Sequence, residues 1–131
     1  MIDHTGLEVS NPAKSRLFYE KALAPLGYKM LIEIPQEYTD GAVVLGYGVP
    51  PNADFWVSEG KPNRPTLHIA FRADTHKQVE EFYKAALEAG GTDNGAPGPR
   101  PHYHKDYFGA FVLDPDGHNI EAVCRLPFEV K

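Results

Sequence analysis

Imidazole side chains both move protons near neutral pH and ligate metals, and six histidines occur in this 131-residue chain. Two of them, His4 and His68, open nearly the same phrase. His4 leads to Phe18-Tyr19, Ala22-Leu23 and Gly27, while His68 leads to Phe82-Tyr83, Ala86-Leu87 and Gly91. One offset of 64 relates every identity (68 − 4, 82 − 18, 91 − 27). A unit that occurs twice indicates a fused duplication, since a solenoid needs three or more copies. If the halves pack symmetrically, His4 and His68 take equivalent places and can approach one point. A second cluster, Pro101-His102-Tyr103-His104-Lys105-Asp106-Tyr107, has His-x-His spacing in a stretch rich in Gly and Pro. A loop of this kind bordering a site can supply a general acid or base, with His102 and Tyr103 the candidates. His76 and His118 read as a helix-start residue and a turn residue.

The elements that position these residues follow from periodicity and punctuation. In residues 2–9, His4, Gly6 and Glu8 fall on one face of a strand and Thr5, Leu7 and Val9 on the other. Asn11-Pro12 is an N-cap followed by proline in the first helical turn, and the helix runs from about Pro12 to Ala24. Strands at 28–34, 42–48 and 53–58 complete a βαβββ unit over about residues 1–60. A second unit, about residues 65–126, repeats that order. Leu67, Ile69 and Phe71 alternate with His68, Ala70 and Arg72. Thr75 and Gln78 have capping-box spacing, and Val79, Phe82, Tyr83, Ala86 and Leu87 form one apolar stripe that ends at Gly90-Gly91. Residues 92–106 hold at most a short strand. A hairpin closes the unit, from Tyr107 to Leu113, through Asp114-Pro115-Asp116-Gly117, and back from His118 to Arg125. Because the apolar faces of the opening strands must cover the helices, His4 and His68 face away from them. The expected fold is α+β, one domain over residues 1–131 whose two βαβββ modules form a curved mixed-sheet half-barrel cup.

Bulk composition narrows the partners. A hydrophobic fraction of 42% and a charged fraction of 24% are ordinary for a globular protein. The net charge of −5, with basic residues scattered, argues against nucleic acid. No apolar run approaches the roughly 18 residues of a membrane span, and the first residues carry no charged-then-apolar signal, so a cytoplasmic protein is expected. Cys124 is the sole cysteine, which rules out an intrachain disulfide and a thiolate cluster. Any metal must be held mainly by His, Asp or Glu.

A βαβββ duplication with His on each opening strand and Phe-Tyr in each helix resembles the vicinal oxygen chelate superfamily. That family includes glyoxalase I, extradiol dioxygenases, methylmalonyl-CoA epimerase, fosfomycin-modifying enzymes and bleomycin-binding proteins. The likeness covers essentially the whole chain. It is most specific from Ala110 to Glu121, a stretch similar to the family's closing hairpin with its ligand glutamate. The resemblance implies one divalent ion (Fe, Mn, Zn or Ni) held by His4, His68 and Glu121, with open positions for a small substrate bearing vicinal oxygens. Two imidazoles and a carboxylate suit these ions. Lyase or dioxygenase chemistry would follow. The resemblance also implies a homodimer whose chains exchange halves, His4 coming from one chain and His68 with Glu121 from the other.

The match stops short of a subclass. Subtracting the repeat from Glu121 gives Val57, where glyoxalase I and the epimerase would carry a fourth ligand, so the glyoxalase reaction is disfavoured. Asp54 would serve there only after a register slip. Phe111 stands where extradiol enzymes carry Tyr, and Gly6 where the fosfomycin enzymes carry a hydroxyl. Tyr47, Trp56 and Phe111 are candidate walls of a substrate pocket, with Tyr107 and Arg72 as further contacts. Arg72 is repeat-equivalent to Glu8 (72 − 8 = 64). Either the two pair across the pseudo-twofold, the simpler expectation, or Arg72 holds an anionic substrate. The competing function is a metal-free cup for an aromatic or cationic small molecule.

Overall fold

The computed structural model describes residues 1–127. The first module comprises β1 (Thr5–Val9), α1 (Pro12–Leu23), β2 (Lys29–Glu33), β3 (Val44–Gly48) and β4 (Phe55–Glu59). The second comprises β5 (His68–Arg72), α2 (His76–Glu88), β6 (Thr92–Pro99), β7 (Phe108–Leu113) and β8 (Asn119–Cys124). The strand orders β1-β4-β3-β2 and β5-β8-β7-β6 match. In each sheet the opening strand lies at an edge, parallel to the last strand, and the other pairings are antiparallel. These are the two duplicated βαβββ modules expected, and neither sheet closes into a barrel. Among the described residues no helix is long and apolar enough to cross a membrane.

Local signals set the helix ends. The Asn11 side chain accepts from the Lys14 amide, ahead of Pro12 in the first turn of α1. Thr75 and Gln78 exchange both bonds of a capping box at the start of α2. Gly27 (φ 84°) and Gly90 (φ 99°) take the left-handed conformation beyond the helical segments, which a side chain would disfavour. The helices pack on each other as well as on their sheets, so Phe18, Tyr19 and Leu23 share one core with Val79, Phe82 and Ala86, all fully buried. Phe55 of β4 and Phe71 of β5 meet edge to face at 5.1 Å, extending that core across the module boundary.

Two strands depart from expectation. β1 begins only at Thr5, and Ile2 is 83% exposed, so His4 precedes the strand instead of lying within it. Residues 92–99 form the longest strand of the fold although they contain Gly95, Pro97, Gly98 and Pro99. β6 is an edge strand whose register shifts between Asp93 and Gly95 and again between Gly95 and Gly98. Edges and bulges are where a sheet tolerates residues that cannot donate to the ladder.

The turn between β7 and β8 fastens the second module to the first. Asp114, buried, accepts the amides of Asp116 and His118 on Oδ1 (2.9 Å each) and the Tyr19 hydroxyl of α1 on Oδ2 (2.6 Å). Ser10, just after β1, donates its amide and hydroxyl to Asp116 (3.1 and 2.5 Å). His118 is fully buried. Its Nδ1 accepts the Leu67 amide at 3.0 Å, which leaves Nε2 to donate to the Glu8 carbonyl at 3.1 Å. A ring that read as a turn residue thus ties β1 to the residue just before β5. Removing either side chain strands buried backbone groups, so Asp114→Ala and His118→Ala are expected to cost about 2–4 kcal/mol each. Urea midpoints should fall at constant m relative to wild type. Wild-type midpoints would show that apolar packing alone joins the modules.

Candidate functional site

Strand alternation sorts the second sheet into a helix-facing side and an open side. Ile69, Phe71, Ile120, Ala122 and Cys124 go to the helices, leaving His68, Ala70 and Arg72 on β5 beside Asn119, Glu121 and Val123 on β8. Register places Ala70 on one side of Glu121 and Phe111 on the other, with Gly109 opposite Val123. The small neighbours matter. A Cβ added at Gly109 would lie 3.1 Å from Tyr107 Cε1, so glycine is what lets the tyrosine ring reach across.

Glu121 is 1% exposed although it faces the open side. His68 Nε2 lies 2.8 Å from its Oε1, and the Tyr107 hydroxyl donates to Oε2. Among the described residues neither Lys nor Arg pairs with this carboxylate. Its burial is offset by these two bonds, as a buried polar group requires. Burial, then the carboxylate beside it, pushes the Tyr107 hydroxyl well above the ordinary tyrosine range.

The first sheet shows what became of the equivalent position. Gly6 pairs with Trp56 as Ala70 pairs with Glu121, and Gly46 pairs with Trp56 as Phe111 pairs with Glu121. The counterpart of Glu121 is therefore Trp56, not Val57. One more residue separates helix from third strand in the second module, which lengthens the offset to 65 (121 − 56). Val57 is buried on the helix side. A Cβ at Gly46 would come 2.8 Å from both Trp56 Cζ3 and Ile32 Cγ2, so the indole lies flat against a glycine. It lines a cleft of about 850 Å³ with Ile32, Val49, Asp3 and Asp54.

His4 and His68 line one further cleft of about 390 Å³ together with Arg72. The exposed His4 side chain bonds Asp3 at 2.7 Å, and no three His, Cys, Asp or Glu side chains converge as a metal set among the described residues. One chain brings together His68 and Glu121 without His4. Donor type fits a divalent ion; donor number within one chain does not, since such sites use three or more protein ligands.

The other expected residues divide. Tyr47 is fully buried beneath the sheet, near Tyr19 and Phe55, because Gly46 and Gly48 take the open side of β3. Phe111 is on the open side, 6.2 Å from the His68 ring, and the Tyr107 hydroxyl is committed to Glu121. His102 and Tyr103 sit on an exposed turn that touches the site only indirectly, Tyr103 meeting Tyr107 edge-on at 5.1 Å. The Glu8–Arg72 pair does not form. Glu8 turns over Gly60, whose missing Cβ makes room, and Arg72 has no polar partner among the described residues. The Tyr107–Glu121 bond was not anticipated, yet counting back from the turn places 107 on the same face as 109 and 111.

Comparison with protein-family models matches residues 1–122 to the Glyoxalase/Bleomycin resistance protein/Dioxygenase superfamily. Curated proteins give no match. Among solved structures, the chain is similar to a glyoxalase/bleomycin resistance protein from Albidiferax ferrireducens, at 24% identity, TM-score 0.72, and coverage of 96% of this chain and 99% of that one. It is also similar to a hypothetical protein from S. aureus, at 24% identity, TM-score 0.66 and coverage of 91% and 92%. A glyoxalase I mutant from Zea mays aligns at 19% identity and TM-score 0.69, with 97% of this chain spanning 45% of that one. At these identities the structural likenesses speak to the fold alone.

Burial also raises the hydroxyls of Tyr19 and Tyr47. A tyrosine whose folded pKa lies above its unfolded value of about 10 contributes stability below that pH and loses it as pH rises further. Stability is therefore expected to fall from about pH 10 upward. Tyr107→Phe should cost about 1–3 kcal/mol at pH 7 by stranding a carboxylate oxygen, and should make the alkaline fall shallower. Chemical denaturation across pH 7–11 checks both. An unchanged alkaline slope would show that Tyr107 titrates as an ordinary exposed tyrosine.

Proposed function

The chain belongs to the Glyoxalase/Bleomycin resistance protein/Dioxygenase superfamily, and from that premise we propose a divalent-metal-dependent enzyme for a small substrate bearing two adjacent oxygens. The observation that carries this reading is the His68–Glu121 pair. An imidazole nitrogen and a carboxylate oxygen face each other at 2.8 Å, on the open side of a sheet, with small residues cleared around them. A proton bridges two atoms that are both ligand types for Fe, Mn, Zn or Ni.

Because no third donor joins the pair among the described residues of one chain, we assign that place to His4 of a second copy, in a homodimer. When bound, the ion would supply Lewis-acid stabilisation of negative charge developing on a substrate oxygen. The chain's own residues do the rest. Tyr107 holds Oε2 of Glu121 and so presents Oε1. Phe111 and Trp56 are apolar walls that exclude water, while the exposed turn carrying His102 and Tyr103 reaches the pair only through the Tyr103–Tyr107 ring contact. With Trp56 at the counterpart of Glu121, no fourth carboxylate stands there to act as the base that the glyoxalase reaction needs. Lyase or dioxygenase chemistry on three ligands fits better.

A second reading, a metal-free binding protein, is favoured by one observation: no three donors converge among the described residues of one chain. The Trp56 face would then be the binding surface for a flat ring. Mixing decides between them. His4→Ala and Glu121→Ala proteins, each expected to lose metal, should regain about one metal per four chains when unfolded and refolded together, because half the dimers are mixed and each rebuilds one site. Melting temperature should rise with Mn(II) in the mixture but in neither parent. Metal bound equally by both parents and wild type, or by none of the three, would reject the assignment.

A further inference from the structure

The open side of the second sheet carries two arginines that no carboxylate pairs with among the described residues. Arg72 lies beside Val123 in the β5–β8 register. Arg125 is two residues further along, immediately past the end of β8, and its guanidinium lies 5.0 Å above the ring of Tyr107. Tyr107 itself lies across Gly109 on the open side, so Arg125 is on the same side as Arg72. Arg72 and Arg125 thus stand on one open side, Arg72 on β5 and Arg125 just past the end of the adjacent β8. Two guanidiniums on one face of a sheet are stabilised by a negative group bound beside them.

The chain is rich in carboxylates, yet none pairs with either arginine among the described residues. Glu121 is the acid nearest in register, and His68 and Tyr107 occupy both its oxygens. Asp3 and Asp54 line the cleft that includes Arg72, but they take His4 and the Tyr28 hydroxyl respectively. The contrast with Arg100 is instructive. That guanidinium, 5.4 Å over Phe111, spends its terminal nitrogens on the carbonyls of Ala96, Gly98 and Pro99 and so braces β6. Among the described residues Arg72 and Arg125 make no such bonds.

We propose that Arg72 and Arg125 receive an anionic group, carboxylate or phosphoryl, on the molecule that the His68–Glu121 centre acts upon. The placement supports this assignment. Arg72 is two residues from His68 on one strand, and Arg125 lies over the tyrosine that holds Glu121, so both guanidiniums share the open side with the pair. A guanidinium fork pairs with two oxygens of such a group at once, which Lys would not reproduce. The substrate class narrows from any molecule with vicinal oxygens to a small organic acid or phosphoryl compound. This rests on His68–Glu121 being the reacting centre.

The test uses full-length protein freed of metal, titrated calorimetrically with inorganic phosphate and separately with malonate at ionic strength held constant by NaCl. Wild type should bind at least one of them saturably. Preference for phosphate identifies the phosphoryl class, and preference for malonate the carboxylate class. Arg72→Gln and Arg125→Gln should each weaken binding about tenfold and the double variant should abolish it, while Arg72→Lys retains only part. Arg16→Gln, on the outer face of α1, should bind as wild type does. Saturable binding absent from wild type, or equal in wild type and the double variant, overturns the inference. A parallel Mn(II) melting series on wild type and Arg72→Gln separates the two readings. Anion binding without any Mn(II) response would reject the metal centre and leave the arginine site standing, whereas equal Mn(II) responses with unaltered anion affinity would reject only the arginine site.

Discussion

A buried carboxylate in a five-residue turn holds this molecule together. Asp114 satisfies two amides of its own turn and one hydroxyl from α1 of the other module, while His118 bridges two backbone groups that would otherwise be orphaned between modules. Buried polar networks with every member satisfied specify one arrangement, because any slip strands several groups at once. The consequence for function is direct. Glu121 is three residues beyond His118, on the strand that the turn leads into, so the clasp that fixes the modules also fixes the height and facing of the candidate ligand. Fold and site share one hairpin.

Duplication then explains why the two open faces can differ so much. Equivalent positions inherit equivalent surroundings, a small residue on each edge strand (Gly6, Ala70) and a free face above it. In the second sheet that space is filled by a carboxylate with two donors; in the first it is filled by an indole lying over Gly46. Neither face alone offers three ligands. Joining a first face to a second, in this chain or across two copies, combines an aromatic surface with a polar pair, the mixture of apolar wall and few polar groups typical of small-molecule sites.

Much of this was legible in the residues. Period-two alternation placed Glu121 and His68 on the side away from the helices, and the capping residues at Asn11 and Thr75 marked where both helices start. These readings succeed because they depend on interactions within a few residues. Three others failed for a common reason. The offset that pointed to Val57 missed a one-residue insertion that only strand pairing reveals; β6 was masked by prolines that an edge strand tolerates; and Glu8 and Arg72, equivalent by count, never meet. Position in a repeat says which residues are alike, and says nothing about which ones touch.

By itself, then, the sequence determined the duplicated βαβββ order, the helix caps, the buried stripes and the facing of each strand residue, since period and capping are properties of the local backbone. Only the tertiary structure decided that Tyr107 grips Glu121, that His118 is a bridge, that Trp56 answers Glu121, and that His4 does not complete a set of three donors with His68 and Glu121 within one chain. Each of those facts joins residues far apart in the chain or on different strands. Register and module packing set such distances, through burial and hydrogen-bond satisfaction summed over the whole core, and no single segment carries that sum.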